Sequence, residues 1–150
     1  MLASSNQERL ASWQQGLNGI VTTNLIKDKL LSNKLNAISE DIARNRPQVL
    51  LLDFDLLGLD GSYSVVSLRR LCAETKIIIL SGEISEDMEW ELLKAGMRGC
   101  CRHDVKHELL GQIVEAVLKG ELWIPRSLTS RLIDELGSTT VQKSNATRAT

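Results

Sequence analysis

Two carboxylates follow directly on the most apolar run of the chain. In RPQVLLLDFDLLGLDG, residues 46–61, Val49–Leu52 is unbroken hydrophobic sequence, and Asp53 and Asp55 come before the turn glycines Gly58 and Gly61. An unpaired carboxylate is expensive to bury, so an acid at the end of such a run is not there for the core. Asp53 is the first functional candidate; an acid in this place equally caps a turn, and both readings stay open. Asp55, two residues on, is a weak candidate metal ligand, with a solvated loop acid as the alternative. A second constellation, Cys100, Cys101, His103 and His107, has the ligand types that zinc accepts. Adjacent strand residues point to opposite faces, however, and Cys72 stands alone. Buried apolar cysteines and a surface His107 are therefore the expectation, and a thiol redox switch rests on adjacency alone.

These residues need a scaffold, and the pattern supplies one. An apolar run of this length with breakers on both sides reads as a strand buried on both faces, as in a parallel sheet covered by helices. Ile77–Leu80, ending on Ser81 and Gly82, is a second such run, and 99–102 is a short last strand. In open α/β sheets, ligands bind beyond the carboxyl ends of the strands, where Asp53 and Ser81 lie.

Upstream, residues 1–3 mark the end of a first strand. Ser5 or Asn6 is the N-cap of a helix carrying Leu10, Trp13 and Leu17. Residues 20–23 read as a second strand, and Leu31, Leu35, Ile38 and Ile42 as one face of the next helix, with 24–29 unplaced. Tyr63, Val66 and 68–71 suggest a third helix, 86–95 a fourth and 105–118 a fifth. Residues 126–136 form one more, and 137–150, poor in apolar residues, reads as a flexible linker or tail. Trp13 and Trp123 are expected in the core; Trp90 is either an exposed contact residue or half-buried. Strands alternating with helices imply right-handed crossovers.

The chain has 150 residues, a formal net charge of −1 and three cysteines. That balance argues against a general nucleic-acid or anionic-membrane surface, and an odd cysteine count against a disulfide framework. With no signal-peptide pattern at the N-terminus, a cytoplasmic protein is expected.

The order RPQVLLLDFDLLGLDG, TKIIILSGE, then LLKAGMRGCCRHDVKHELLGQIVEAVLKGELWIP resembles the receiver domain of two-component response regulators, in the NarL/FixJ (LuxR-type) branch. The resemblance implies a doubly wound, five-stranded parallel sheet flanked by helices, the flavodoxin-like receiver fold, over residues 1–125, plus a C-terminal helical extension. It implies that Asp53 is the phosphoacceptor and that Ser81 is the hydroxyl contacting the phosphoryl group. It also exposes departures. The acid pair that holds Mg²⁺ in the family aligns with Ser4 and Ser5, and neutral hydroxyls are poor sole ligands for that ion. The family lysine aligns with His103, a weaker phosphate clamp, and the switch aromatic with Cys100. Leu57 stands where proline is usual.

The expectation is a degenerate receiver: a non-enzymatic regulatory module of a transcriptional regulator, independent of phosphorylation, acting through homodimer contacts. A DNA-binding domain beyond Thr150 would make any DNA contact, no membrane partner is expected, and no cofactor is needed. The alternative is a phosphoacceptor served by a histidine kinase, with Mg²⁺ as cofactor. A distant third is a small-molecule or redox sensor with Ser4, Ser5, Ser81 and His103 lining one polar cleft.

Overall fold

The computed structural model describes residues 1–18, 29–31, 35–57, 65–67, 69–70 and 72–148, with the side chains of 29–31, 35–37 and 138–148 left aside. Its order is β1 (Leu2–Ser4), α1 (Gln7–Leu17), β2 (Lys29–Leu31), α2 (Leu35–Asn45), β3 (Val49–Asp53) and a 3₁₀ turn (Phe54–Leu56). Helical residues 65–67 and 69–70 (α3) follow. Then come β4 (Lys76–Ser81), α4 (Glu86–Ala95), β5 (Gly99–Arg102), α5 (His107–Leu118) and α6 (Arg126–Arg148).

The strands form one parallel sheet in the order β2-β1-β3-β4-β5. Two-residue periodicity divides the apolar runs between two cores. Leu50, Leu52, Ile77 and Ile79 join Ile38 and Ile42 of α2 and Leu92 and Leu93 of α4. Val49, Leu51, Ile78 and Leu80 join Leu10, Trp13 and Leu17 of α1 and Leu110, Ile113, Val114 and Val117 of α5. Unbroken hydrophobic strands are thus needed because both faces are covered.

Local signals account for the helix ends. Asn6 caps α1, its side chain accepting from the Arg9 N–H at 3.1 Å, and Ser85 caps α4 in the same way through Met88. Gly96 ends α4 with φ of 121°, and the Arg69 side chain lies where a Cβ would stand. The positive φ is what requires glycine here, since the Arg69 side chain is flexible enough to move aside. α1 packs on α5, where a Cβ on Gly16 would meet the His107 backbone at 3.1 Å.

Several expectations are corrected or bounded. β2 lies at Lys29–Leu31, pairing Leu31 with Ser4, so Leu31 is a strand residue and α2 starts at Leu35. The 31-35-38-42 spacing fits a helix, while a three-residue edge strand has too few positions to show alternation. The strand expected at 20–23 falls outside the described residues, as do Tyr63, Leu68 and Leu71 of the third helix.

α6 continues past Leu136 to Arg148, so 137–148 is helical rather than an irregular tail. Residues 137–148 are weak helix formers with no apolar stripe, and the contacts the structure shows are at the start of the helix. Leu128 is buried in the α2/α4 core and Arg131 covers the Trp90 ring at 4.8 Å while pairing with Asp87 at 3.0 Å. Trp90 is therefore 6% exposed, against either earlier reading of it. Trp13 is buried as expected, and Trp123 is half-buried against the α1/α5 core.

Candidate functional site

Strand order reverses at β1, leaving a crevice at the carboxyl ends of β1 and β3, the position where open α/β sheets place their sites. The β1–β3 register pairs Ala3 with Leu52, which sets Ser4 beside Asp53. Both are fully buried. The Ser4 hydroxyl donates to Asp53 Oδ2 at 2.6 Å and accepts from the Asn6 N–H at 3.0 Å.

Asp53 Oδ1 accepts from the Asp55 N–H at 3.0 Å, so this acid does cap the 3₁₀ turn after β3. It does more as well. Oδ1 also meets His103 Nε2 at 2.8 Å, and Oδ2 also accepts from Arg9 Nη1 at 2.9 Å. That same guanidinium nitrogen reaches Asp55 Oδ2 at 2.7 Å, bridging the two carboxylates. His103 is held in place from the α1 side: the Trp13 indole stacks on its ring at 6.3 Å between centroids, and Trp13 Nε1 donates to the His103 carbonyl at 3.2 Å. His103 N–H in turn donates to the Ser81 carbonyl, extending the β4–β5 pairing by a residue.

Electrostatics follow from these partners. Burial pushes the Asp53 carboxyl up, but the Ser4 hydroxyl, the Asp55 N–H, Arg9 and His103 outweigh it and hold the group below the ordinary carboxylate value. Arg9 is raised, chiefly by its bond to Asp55. Asp53 is an anion whose two oxygens are already engaged.

The divalent ion implied by the receiver resemblance does not fit this donor set. Mg²⁺ asks for near-octahedral oxygen ligation at short distances. Here the space between the Asp53 and Asp55 carboxylates holds a cationic nitrogen, and the Ser4 hydroxyl turns its proton, not a lone pair, toward Asp53. Asp53, Asp55 and His103 do each bring a ligand atom within 4.8 Å of the others, the one such group among the described residues.

The other sequence-selected residues separate from this centre. Ser5 is exposed. Ser81 is buried, but it lines a different cavity of about 400 Å³ together with Glu89, Cys100, Cys101, Arg102 and Pro125. Ser4, Ser5 and His103 are not among the residues that line that cavity. Cys100 and Cys101 go to opposite cores, as strand alternation requires, and desolvation raises both thiols to about 12. His107 is exposed and meets the Ser12 hydroxyl at 3.2 Å.

Arg9 is the site residue that sequence reasoning missed. A signal was present: it is a cation three residues after the Asn6 cap, in the first helical turn, where the helix dipole favours acids. A charge placed against the dipole points to a partner elsewhere.

Comparison with known proteins agrees with the fold and its position. Residues 11–115 match the response regulator receiver domain family, and the match begins downstream of Ser4 and Arg9. The chain is 30% identical over 97 residues to the oxygen regulatory protein NreC of Staphylococcus epidermidis, covering 64% of this chain and 44% of that one. It is 26% identical over 109 residues to NreC of Staphylococcus carnosus, covering 72% and 50%. The chain therefore spans about half the length of the curated relatives it matches.

Among solved structures, a LuxR-family two-component response regulator from Aurantimonas sp. SI85-9A1 superposes with a TM-score of 0.68 at 15% identity, covering 90% of this chain and 94% of that one. The isolated receiver domain of RcsB from Salmonella enterica serovar Typhimurium gives 0.67 at 16%, covering 86% and 94%. With the matched residues spanning most of the sheet and the site at its β1/β3 crevice, the chain belongs to the response regulator receiver domain family.

Proposed function

We propose that this chain is the receiver module of a transcriptional response regulator and that it works without phosphorylation of Asp53, through protein–protein contacts between two copies. One observation carries the phosphorylation-independent part of this reading: four donors already occupy the two oxygens of Asp53, and one of them belongs to a guanidinium that also holds Asp55. Phosphoryl transfer depends on positioned counter-charge around an accessible acceptor oxygen. Here the attacking oxygen would have to leave its partners first. The smaller Cys100 at the switch position and His103 at the cation position point the same way. In this reading the protein is not an enzyme, acts in the cytoplasm and contacts DNA only through a separate domain beyond Thr150.

The test is incubation with acetyl phosphate and Mg²⁺, read by intact mass, with Asp53→Asn as control. No adduct is expected. A Mg²⁺-dependent phosphoryl adduct that disappears in the Asp53→Asn variant would overturn the reading.

One alternative, a phosphoacceptor served by a histidine kinase, rests on the place of Asp53 at the carboxyl end of β3 in a receiver-family chain. That alternative requires beryllofluoride with Mg²⁺ to shift the amide resonances of Asp53 and Ser81. A third reading is a sensor whose ligand fills the cavity beside Ser81. It requires a metabolite or anion that raises the melting temperature.

A further inference from the structure

We infer that Arg9 is the resident cation of this site: its guanidinium takes the place of a divalent ion between Asp53 and Asp55, and its removal opens a divalent-metal site made of Asp53, Asp55 and His103. The inference deepens the reading above by naming what holds Asp53.

The geometry sets Arg9 apart from an ordinary surface ion pair. A single nitrogen, Nη1, lies 2.9 Å from Asp53 Oδ2 and 2.7 Å from Asp55 Oδ2, so one cation bridges two carboxylates and offsets one of their two negative charges. One of those carboxylates is completely buried, where an uncompensated charge is costly.

The cation is also pre-positioned. Asp53 accepts from Ser4, the Ser4 hydroxyl accepts from the Asn6 N–H, the Asn6 side chain accepts from the Arg9 N–H, and Arg9 returns to Asp53. That closed ring of hydrogen bonds fixes the start of α1 to the acid its third residue neutralises. Such a ring lowers the side-chain entropy that an exposed pair would lose on forming.

A divalent ion would have to expel a permanently charged group from this ring. Once the guanidinium is gone, two carboxylates and an imidazole remain, with ligand atoms within 4.8 Å of one another. The two carboxylates suit Mn²⁺, and the imidazole offers a further, nitrogen donor. Asp55, half-exposed, gives such an ion a route from solvent.

Mn²⁺ itself is the probe, read as paramagnetic broadening of amide resonances in the ¹⁵N-labelled chain. The wild-type chain is expected to show no broadening centred on Asp53, Asp55 and His103. Arg9→Ala is expected to broaden there, with an apparent affinity at least about tenfold above any wild-type binding. Adding Asp55→Asn should abolish that gain, and Arg9→Lys, which keeps the charge, should stay unbroadened. Should Arg9→Ala not fold, Arg9→Gln is read in its place.

Selective broadening of the wild-type chain overturns the inference, as does a folded Arg9→Ala or Arg9→Gln chain that gains none. Acetyl phosphate labelling of Asp53 in a chain that still binds no Mn²⁺ would instead sink the phosphorylation-independent reading and leave Arg9 in its role.

Discussion

Replacing Asp53 with asparagine should destabilise this protein, and the sign of the effect is the informative part. Where a carboxylate sits among other acids, an amide relieves repulsion and the fold gains. Here every neighbour of Asp53 donates to it, and whichever way the new amide turns, its NH₂ faces two groups that were donors to the carboxylate. The better orientation turns NH₂ toward His103, whose ring nitrogen can accept in the other tautomer. Even so, the Asp55 N–H loses its acceptor and Arg9 faces a neutral oxygen.

A stranded buried donor costs about 1–3 kcal/mol, and breaking one side of a buried ion pair about 3–5 kcal/mol. Arg9 keeps Asp55 and is partly exposed, which places the sum nearer about 2–3 kcal/mol. Urea unfolding read by tryptophan fluorescence measures it, provided the slope is shared with wild type. The pH dependence follows from linkage. Folding depresses the Asp53 pKa from its ordinary 3.8, so the stabilisation is fully present above that value and is lost as pH falls through the folded pKa. The gap between wild type and Asp53→Asn should hold across neutral pH and shrink only below about pH 4. An asparagine variant as stable as wild type at neutral pH, or more so, refutes the argument that donors rather than acids surround this group.

Ser4→Ala removes a short hydrogen bond to the buried carboxylate and the acceptor of the Asn6 N–H, so urea unfolding should show a loss of about 1.5–3 kcal/mol. With both thiols near 12, Cys100 and Cys101 are almost wholly protonated at pH 8. Mass-mapped iodoacetamide labelling should find both far slower than a free thiol; rapid labelling of either would revive the redox reading. Trp90→Ala empties the buried position beneath Arg131 and should cost about 3–5 kcal/mol in chemical unfolding. The same change should raise hydrogen exchange in the first turns of α6 more than in α1, because α6 rests on α4 whereas α1 packs against α5.

Elements whose burial is symmetrical were legible without coordinates. Val49–Leu52 and Ile77–Leu80 are hydrophobic at every position because both sheet faces are covered, and that pattern survives in one dimension. Asp53 stood out for the same reason, as an acid at the end of a run where charge is costly. The edge strand β2 was not legible: three residues carry no period, and Leu31 agrees with the helical spacing of its successors. The length of α6 was likewise hidden, since 137–148 has no apolar face and the contacts the structure shows are at Leu128 and Arg131, near the start of the helix.

By itself the sequence determined the alternation of strands and helices, the buried strands and the acid at the end of β3, because hydrophobic period and local breakers are properties of neighbouring residues. Only the tertiary structure decided what that acid touches. Arg9 lies 44 positions from Asp53 and His103 lies 50, and no local pattern reports which side chains a parallel crossover will deliver to one crevice. Whether Asp53 would meet acids, a metal or a guanidinium was settled by where the start of α1 and the end of β5 come to rest beside β3.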